Sequence, residues 1–209
     1  MITKTLKSAL KLVLRSTIFG FETGPIVERY TMYERIKEAL RSADSSFLSG
    51  RILSVSYSNY LASLIKVPTS EVIEANYPQH DLLNLSYANN SFDYVVADQV
   101  LEHIAGDPLR AVEEARRVLK PGGIAIFTTC LLYEVHDHPG DYWRFTPYGL
   151  ELLCRGFSRV IQCEGWGNKL AFTAFRFYPT PTNKWHPLNR IARMSDPEVL
   201  ISTWFVAQK

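Results

Sequence analysis

The segment from Phe92 to Thr129 constrains the fold of this chain most, because its hydrophobic period changes twice within one stretch. Phe92-Asp-Tyr-Val-Val-Ala-Asp98 is a short, β-branched, apolar run ending in a carboxylate, and it predicts a strand. Asp107 then supplies a helix N-cap and Pro108 suits the first helical position. Leu109, Val112, Ala115 and Leu119 follow at steps of three or four, with Arg116 beside them, which predicts one helix with an apolar face. Glu113 and Glu114 precede Arg116 and Arg117, the order of charge that the helix dipole favours. Lys120-Pro-Gly-Gly123 stops the helix and turns the chain, and Ile124 to Thr129 is a second apolar strand. Such strand–helix–strand alternation predicts an α/β fold, a mostly parallel sheet with helices on both faces.

The alternation extends in both directions. Residues 51–57 and Glu71 to Ala75 predict strands, with a helix over 58–66 between them. After Thr146 a helix from Pro147 to Arg155 leads to a strand from Val160 to Glu164, and Ile201 to Ala207 is again β-rich. With no convincing helix between them, these last two strands are expected to pair antiparallel at the sheet edge. Residues 1–50 read as helical, with a break at Gly20 to Pro25, a second helix from about Ile26 to Arg41, and a polar connection over Ser42 to Ser46. The expected organisation is a helical segment, 1–50, packed on a main domain, 51–209.

A formal net charge of +2 over 209 residues argues against a polyanion binder, so no nucleic-acid partner is expected. Cys130, Cys154 and Cys163 lack C-x-x-C spacing and cannot all pair, which favours a reducing, cytoplasmic setting. No apolar run approaches the roughly 18 residues of a membrane span. Lys4, Lys7, Lys11 and Arg15 alternate with Leu6, Leu10, Val13, Leu14 and Ile18 at helical spacing. That pattern suits either a helix covering its own domain or weak contact of residues 1–20 with an anionic membrane surface. Charge interrupts the apolar stretch, so no signal peptide is expected.

Three segments together resemble the core of class I S-adenosylmethionine-dependent methyltransferases, in particular the group with a type 11 methyltransferase domain. They are Asp81-Leu-Leu-Asn-Leu-Ser-Tyr-Ala-Asn-Asn-Ser-Phe-Asp93, Gln99-Val-Leu-Glu-His103 and Arg116-Arg-Val-Leu-Lys-Pro-Gly-Gly123. A narrower resemblance lies in His136, Pro139 and Asp141-Tyr-Trp-Arg-Phe-Thr146, similar to an H-x-x-P-x-D-Y-W-R-F-T subgroup often found in glycan contexts. The resemblance covers about residues 51–165. It implies a Rossmann-like sheet, mostly parallel with an antiparallel edge strand, and S-adenosylmethionine as cofactor.

Carried over residue by residue, the resemblance implies that Asp81 meets the adenine, with Leu82 offering its N–H and an apolar wall. Asp98 and Gln99 would face the methionine part, and His103, a helical turn later, would point into the same cleft. Each has a bland reading beside it: a loop cap beside Asn84 for Asp81, a solvated strand end for Asp98, a structural histidine for His103. The family's first motif, D-x-G-x-G-x-G, falls here on Ser54, Ser56, Ser58 and Tyr60. Glycine serves there because a tight turn needs positive φ and the cofactor approaches the backbone closely. Asn76 stands where the family carries the ribose-binding acid, with Glu74 as the acidic alternative on the same side of the strand.

Two functions stay open. Either serine hydroxyls replace the glycine contacts in a working methyltransferase for a small-molecule or glycan-related acceptor, or the fold persists as a non-catalytic binding or regulatory partner. His136 is placed as a general base. Tyr142, Trp143 and Arg144 suit a substrate wall and anion clamp, or simply an anchor for the loop. His136, His138 and Asp141 form too sparse a set for a metal, and none is expected. The acceptor and the oligomeric state are not written in the sequence.

Overall fold

Six apolar runs pair into one sheet in the computed structural model, which describes residues 25–43, 50–66, 68–136, 140–175 and 189–209. Helix α1 (Val27–Ala43) precedes strand β1 (Arg51–Val55), helix α2 (Asn59–Ile65) and strand β2 (Glu71–Ala75). Strand β3 (Phe92–Asp98), a 3₁₀ turn (Leu101–His103), helix α3 (Pro108–Val118) and strand β4 (Leu119–Cys130) follow. Helix α4 (Pro147–Leu153), strand β5 (Arg159–Trp166), the short helices α5 (Lys169–Phe175) and α6 (Asn189–Arg193), and strand β6 (Ser202–Gln208) complete the order.

The sheet runs β2-β1-β3-β4-β6-β5. β2, β1, β3 and β4 pair in parallel, and β6 lies antiparallel between β4 and β5. The antiparallel pair therefore stands at the sheet edge, with β6 on its inner side. From β1 the chain steps out to β2 and returns on the other side as β3. The strand order reverses there, and a crevice opens at the carboxyl ends of β1 and β3.

The side-chain period of two divides the core into two layers. Leu53, Val55, Val95, Ala97, Ala125 and Phe127 pack toward α3 and α4. Ile52, Tyr94, Val96, Ile124 and Ile126 pack toward α1 and α2, meeting Met32, Tyr33, Ile36 and Leu40. By the same alternation Ser54, Asp98 and Thr128 project to the α1 side. Asp107 caps α3 by accepting from Leu109 N at 2.9 Å, and Pro108 opens the helix. The buried face is Ala111, Val112, Ala115 and Val118, while Leu109 is 39% exposed. The expected stripe is thus displaced, because small alanines let the helix lie close on the sheet.

Lys120 to Gly123 do not form a free turn. They lie inside β4, where the pairing with β3 shifts register between Phe92 and Tyr94. Gly122 takes φ +79°, and a Cβ on Gly123 would stand 3.0 Å from the Asp93 carbonyl oxygen. Lys120 Nζ bridges the two Asp93 oxygens at 3.0 and 2.9 Å, and Arg51 N donates to Asp93 at 2.8 Å. Among the described residues no helix is long and apolar enough to cross a membrane. The basic stripe over residues 1–20, His138 and Pro139 lie outside the described residues.

Candidate functional site

The first turn keeps a tight path without glycine. Ser56 and Tyr57 adopt φ of +47° and +65°, left-handed values that cost an L-residue about 1–2 kcal/mol each. Ser56 N donates to Ala75 O at 3.0 Å and Tyr57 N to Asn76 Oδ1 at 2.8 Å, so β2 holds the turn in place. Asn76 Nδ2 donates in turn to Glu74 Oε2 at 3.0 Å. The other two serines face inward. Ser54 Oγ bonds Asn59 Oδ1 at 2.6 Å, while Ser58 Oγ donates to Val55 O and accepts from Asp98 N at 2.7 Å.

Opposite that turn, Asp98 ends β3 in a buried network. Tyr33 Oη donates to its Oδ2 at 2.5 Å and Arg29 Nη1 lies 3.4 Å from the same oxygen. Thr128 Oγ1 donates to Oδ1 at 2.6 Å. Burial and the neighbouring Asp98 charge push the Tyr33 phenol well above its ordinary range, so it remains a donor. Helix α1 thereby forms one wall of the crevice.

The second wall holds a cluster with chemical capacity. Glu102 in the 3₁₀ turn is fully buried and accepts from Thr129 Oγ1 at 2.9 Å. Burial pushes its carboxyl up to about 7, against the hydrogen bonds from its backbone and Thr129. Burial likewise pushes the Cys130 thiol, at the end of β4, up to about 12. His136 Nδ1 lies 3.0 Å from Glu134 O and 3.2 Å from Asp141 Oδ2. Both partners accept, so the ring proton belongs on Nδ1 and Nε2 is left with its lone pair. The Asp141 side chain is buried and also accepts from His136 N at 3.0 Å. The Arg144 guanidinium, bonded to both Asp141 oxygens, holds that carboxyl well below the usual range.

A cleft of about 360 Å³ joins these walls, lined among others by Arg29, Ser56, Asp98, Gln99, Cys130 and His136. Of the residues singled out from sequence, Ser56, Asp98, Gln99, His103 and His136 border it together. Ser54, Ser58, Asn76, Asp81, Leu82, Tyr142, Trp143 and Arg144 are not among its lining residues. Asp81 Oδ1 accepts from Leu83 N at 2.9 Å and its backbone bridges Asn84. Leu82 is buried in the core. His103 Nδ1 meets the Gly140 carbonyl, and its ring stands edge-on to His136 at 4.9 Å. Trp143 Nε1 donates to Ile104 O at 2.8 Å and Tyr142 N to Glu102 O at 2.7 Å. The aromatic run thus straps the loop after β4 across the 3₁₀ turn. Sequence reasoning missed Arg29, Tyr33, Glu102 and Cys130 as site groups, because their partners lie far away in the chain, whereas Asp141, noted beside His136, was not given its role of holding that ring.

Residues 37–127 match a family described as a methyltransferase domain. A demethylmenaquinone methyltransferase of Staphylococcus carnosus is 32% identical over 124 residues, 59% of this chain and 51% of that protein. The chain spans between 21% and 54% of the length of the curated relatives it matches. Among solved structures, a Haemonchus contortus N-methyltransferase in complex with phosphomonomethylethanolamine and S-adenosylhomocysteine aligns with TM-score 0.57 and 14% identity, over 99% of this chain and 57% of that one. The (4+2)-cyclase SpnF aligns with TM-score 0.52 and 17% identity, over 84% and 80% of the two chains. These two likenesses speak for the fold alone.

Proposed function

From a chain that carries a class I methyltransferase domain of the type 11 group, we propose a methyltransferase that uses S-adenosylmethionine and acts on a small-molecule or glycan-related acceptor. The observation that carries this reading is a cleft at the strand-order reversal, with Arg29 and Asp98 on one side and His136 backed by Asp141 on the other.

The donor set fits the cofactor's charged end. Glu28 and Asp98 bring negative charge to the cleft and Arg29 positive charge, which suits a group bearing an ammonium, a sulfonium and a carboxylate. Ser56 and Gln99 border the same space, while Ser54 and Ser58 act by holding the turn. In this reading Asn76 with Glu74 serves the ribose, and Asp81 with Leu82 the adenine. When bound, the cofactor supplies an electrophilic methyl group. In the metal-free chain His136 Nε2 then takes the acceptor's proton as a general base, with Asp141 orienting the ring and stabilising its cation; a cation held on that nitrogen would remove this role. In-line positioning of the acceptor does the larger share of the work. Tyr57 and Tyr133, 74% and 40% exposed on the cleft rim, give flat faces suited to a sugar or other ring.

Calorimetric titration of the full chain with S-adenosylmethionine and S-adenosylhomocysteine tests this. Saturable binding of both is expected. Absence of heat up to millimolar concentration would sink the enzyme reading and leave the non-catalytic partner in its place.

A further inference from the structure

We propose that Glu102, Cys130 and His136 form a binding site for a single zinc-type divalent cation, with its fourth position open to the cleft. The three side chains come from a 3₁₀ turn, a strand end and the following loop, and one ligand atom from each lies within 4.8 Å of the other two. A tetrahedral site with bonds of about 2.0–2.3 Å sets its ligands roughly 3.3–3.8 Å apart, so side-chain adjustments of about 1 Å close the triangle. Thiolate, imidazole and carboxylate together select Zn²⁺ or Co²⁺ over the hard cations Mg²⁺ and Ca²⁺.

Three further observations point to a cation rather than a dry polar cluster. The His136 ring places its Nδ1 against the Asp141 carboxylate at 3.2 Å, which frees Nε2 and reproduces the carboxylate–histidine arrangement typical of metal-binding histidines. Glu102 is fully buried, yet among the described residues no Lys or Arg stands at ion-pair distance from it. Its carboxylate is met by the Thr129 hydroxyl, its own backbone N–H and, with the amide turned to suit its surroundings, Gln99 at 3.3 Å from Oε1. A carboxylate, a thiolate and a neutral imidazole bring two negative charges, which a divalent cation cancels in a low-dielectric interior. Cys130 and His136 also line the cleft, which gives the ion an entry path and an outward-facing coordination position. On binding, the Cys130 sulfur exchanges its proton to solvent for a metal bond, with no change in oxidation state.

The test needs no methyl donor, so its outcome is separate from that of the cofactor titration. Untagged full chain, stripped with chelator, is titrated with Co²⁺ while the thiolate-to-cobalt charge-transfer absorption is followed. One equivalent of Co²⁺ is expected, with an intense four-coordinate visible spectrum that Zn²⁺ displaces. Cys130→Ser, nearly isosteric, should abolish the charge-transfer band, with circular dichroism confirming the fold. Asp141→Asn, which reaches the ion only through His136, should weaken binding about tenfold. A native chain without the band at millimolar Co²⁺ would overturn the proposal. So would a band that survives in Cys130→Ser, since Cys154 or Cys163 would then be its source.

Discussion

The carboxyl ends of β1 and β3 face each other across one cleft, yet they are built on opposite plans. The β1 end spends its polar groups on itself. Ser54, Ser58 and the N–H groups of Ser56 and Tyr57 all bond within the turn, its helix or the adjoining strand ends. The β3 end recruits from distant parts of the chain: Asp98 draws Arg29 and Tyr33 from α1 and Thr128 from β4. One rim supplies shape under backbone strain, the other charge under tight support. This Rossmann-like sheet therefore holds a tight first turn without glycine and gathers its charged side chains on the opposite rim.

The strongest way to break this contrast is Asp98→Ala. It leaves Tyr33, Thr128 and Arg29 without their acceptor and should cost roughly 3 kcal/mol in chemical denaturation. Cofactor binding should vanish with it; an unchanged calorimetric affinity would mean the charged rim is not the binding rim. Ser58→Ala removes the hydroxyl that joins the two rims and strands the Asp98 N–H in the interior. A loss of about 2 kcal/mol is expected, read in the same denaturation experiment. The double change Ser56→Gly with Tyr57→Gly should go the other way. Relief of left-handed strain, offset by the greater freedom of glycine in the unfolded chain, leaves a net gain of about 1 kcal/mol. Tighter S-adenosylhomocysteine binding should accompany it, and weaker binding would show that the native side chains contribute contacts.

The smallest effect concerns the far, amino end of the same strands. Burial works against ionisation of Asp93, but the Arg51 N–H and the Lys120 ammonium hold its carboxyl below the ordinary value. A carboxyl lowered in the folded state stabilises above its unfolded pKa, and that contribution disappears as pH falls through the folded value. Asp93→Asn should therefore cost about 0.5 kcal/mol at neutral pH and flatten the acid limb of the stability profile. It should leave both rims of the cleft unaffected.

What the sequence disclosed follows the range of each interaction. The α3 cap at Asp107, the strand period over Phe92 to Asp98 and the late antiparallel pair rest on local patterns, and the structure has all three. The displaced helix face did not show, because Ala111 and Val118, which complete it, fall outside the expected stripe. Lys120-Pro-Gly-Gly123 read as a turn, although its neighbours in β3 and at Lys209 absorb it into the sheet. In the site, Asp98 and His136 stood out as a strand-end acid and a loop histidine. Asp141 was visible beside His136, but no local spacing links Asp98 to Tyr33, or Glu102 to Cys130 and His136. The aromatic run from Tyr142 to Phe145 was visible as a motif, but its backbone bond to Glu102 was not.

The Tyr33–Asp98 bond joins positions 65 residues apart, and α1 precedes the whole parallel sheet. A chain severed between Ala43 and Gly50 would thus yield two fragments, each holding half of one binding wall. Their reassembly would draw on that buried contact together with the apolar packing of Met32, Tyr33, Ile36 and Leu40 on the sheet. Fragment complementation, scored with Asp98 intact and replaced, would turn the integrity of the site into a growth or fluorescence signal that requires no knowledge of the acceptor.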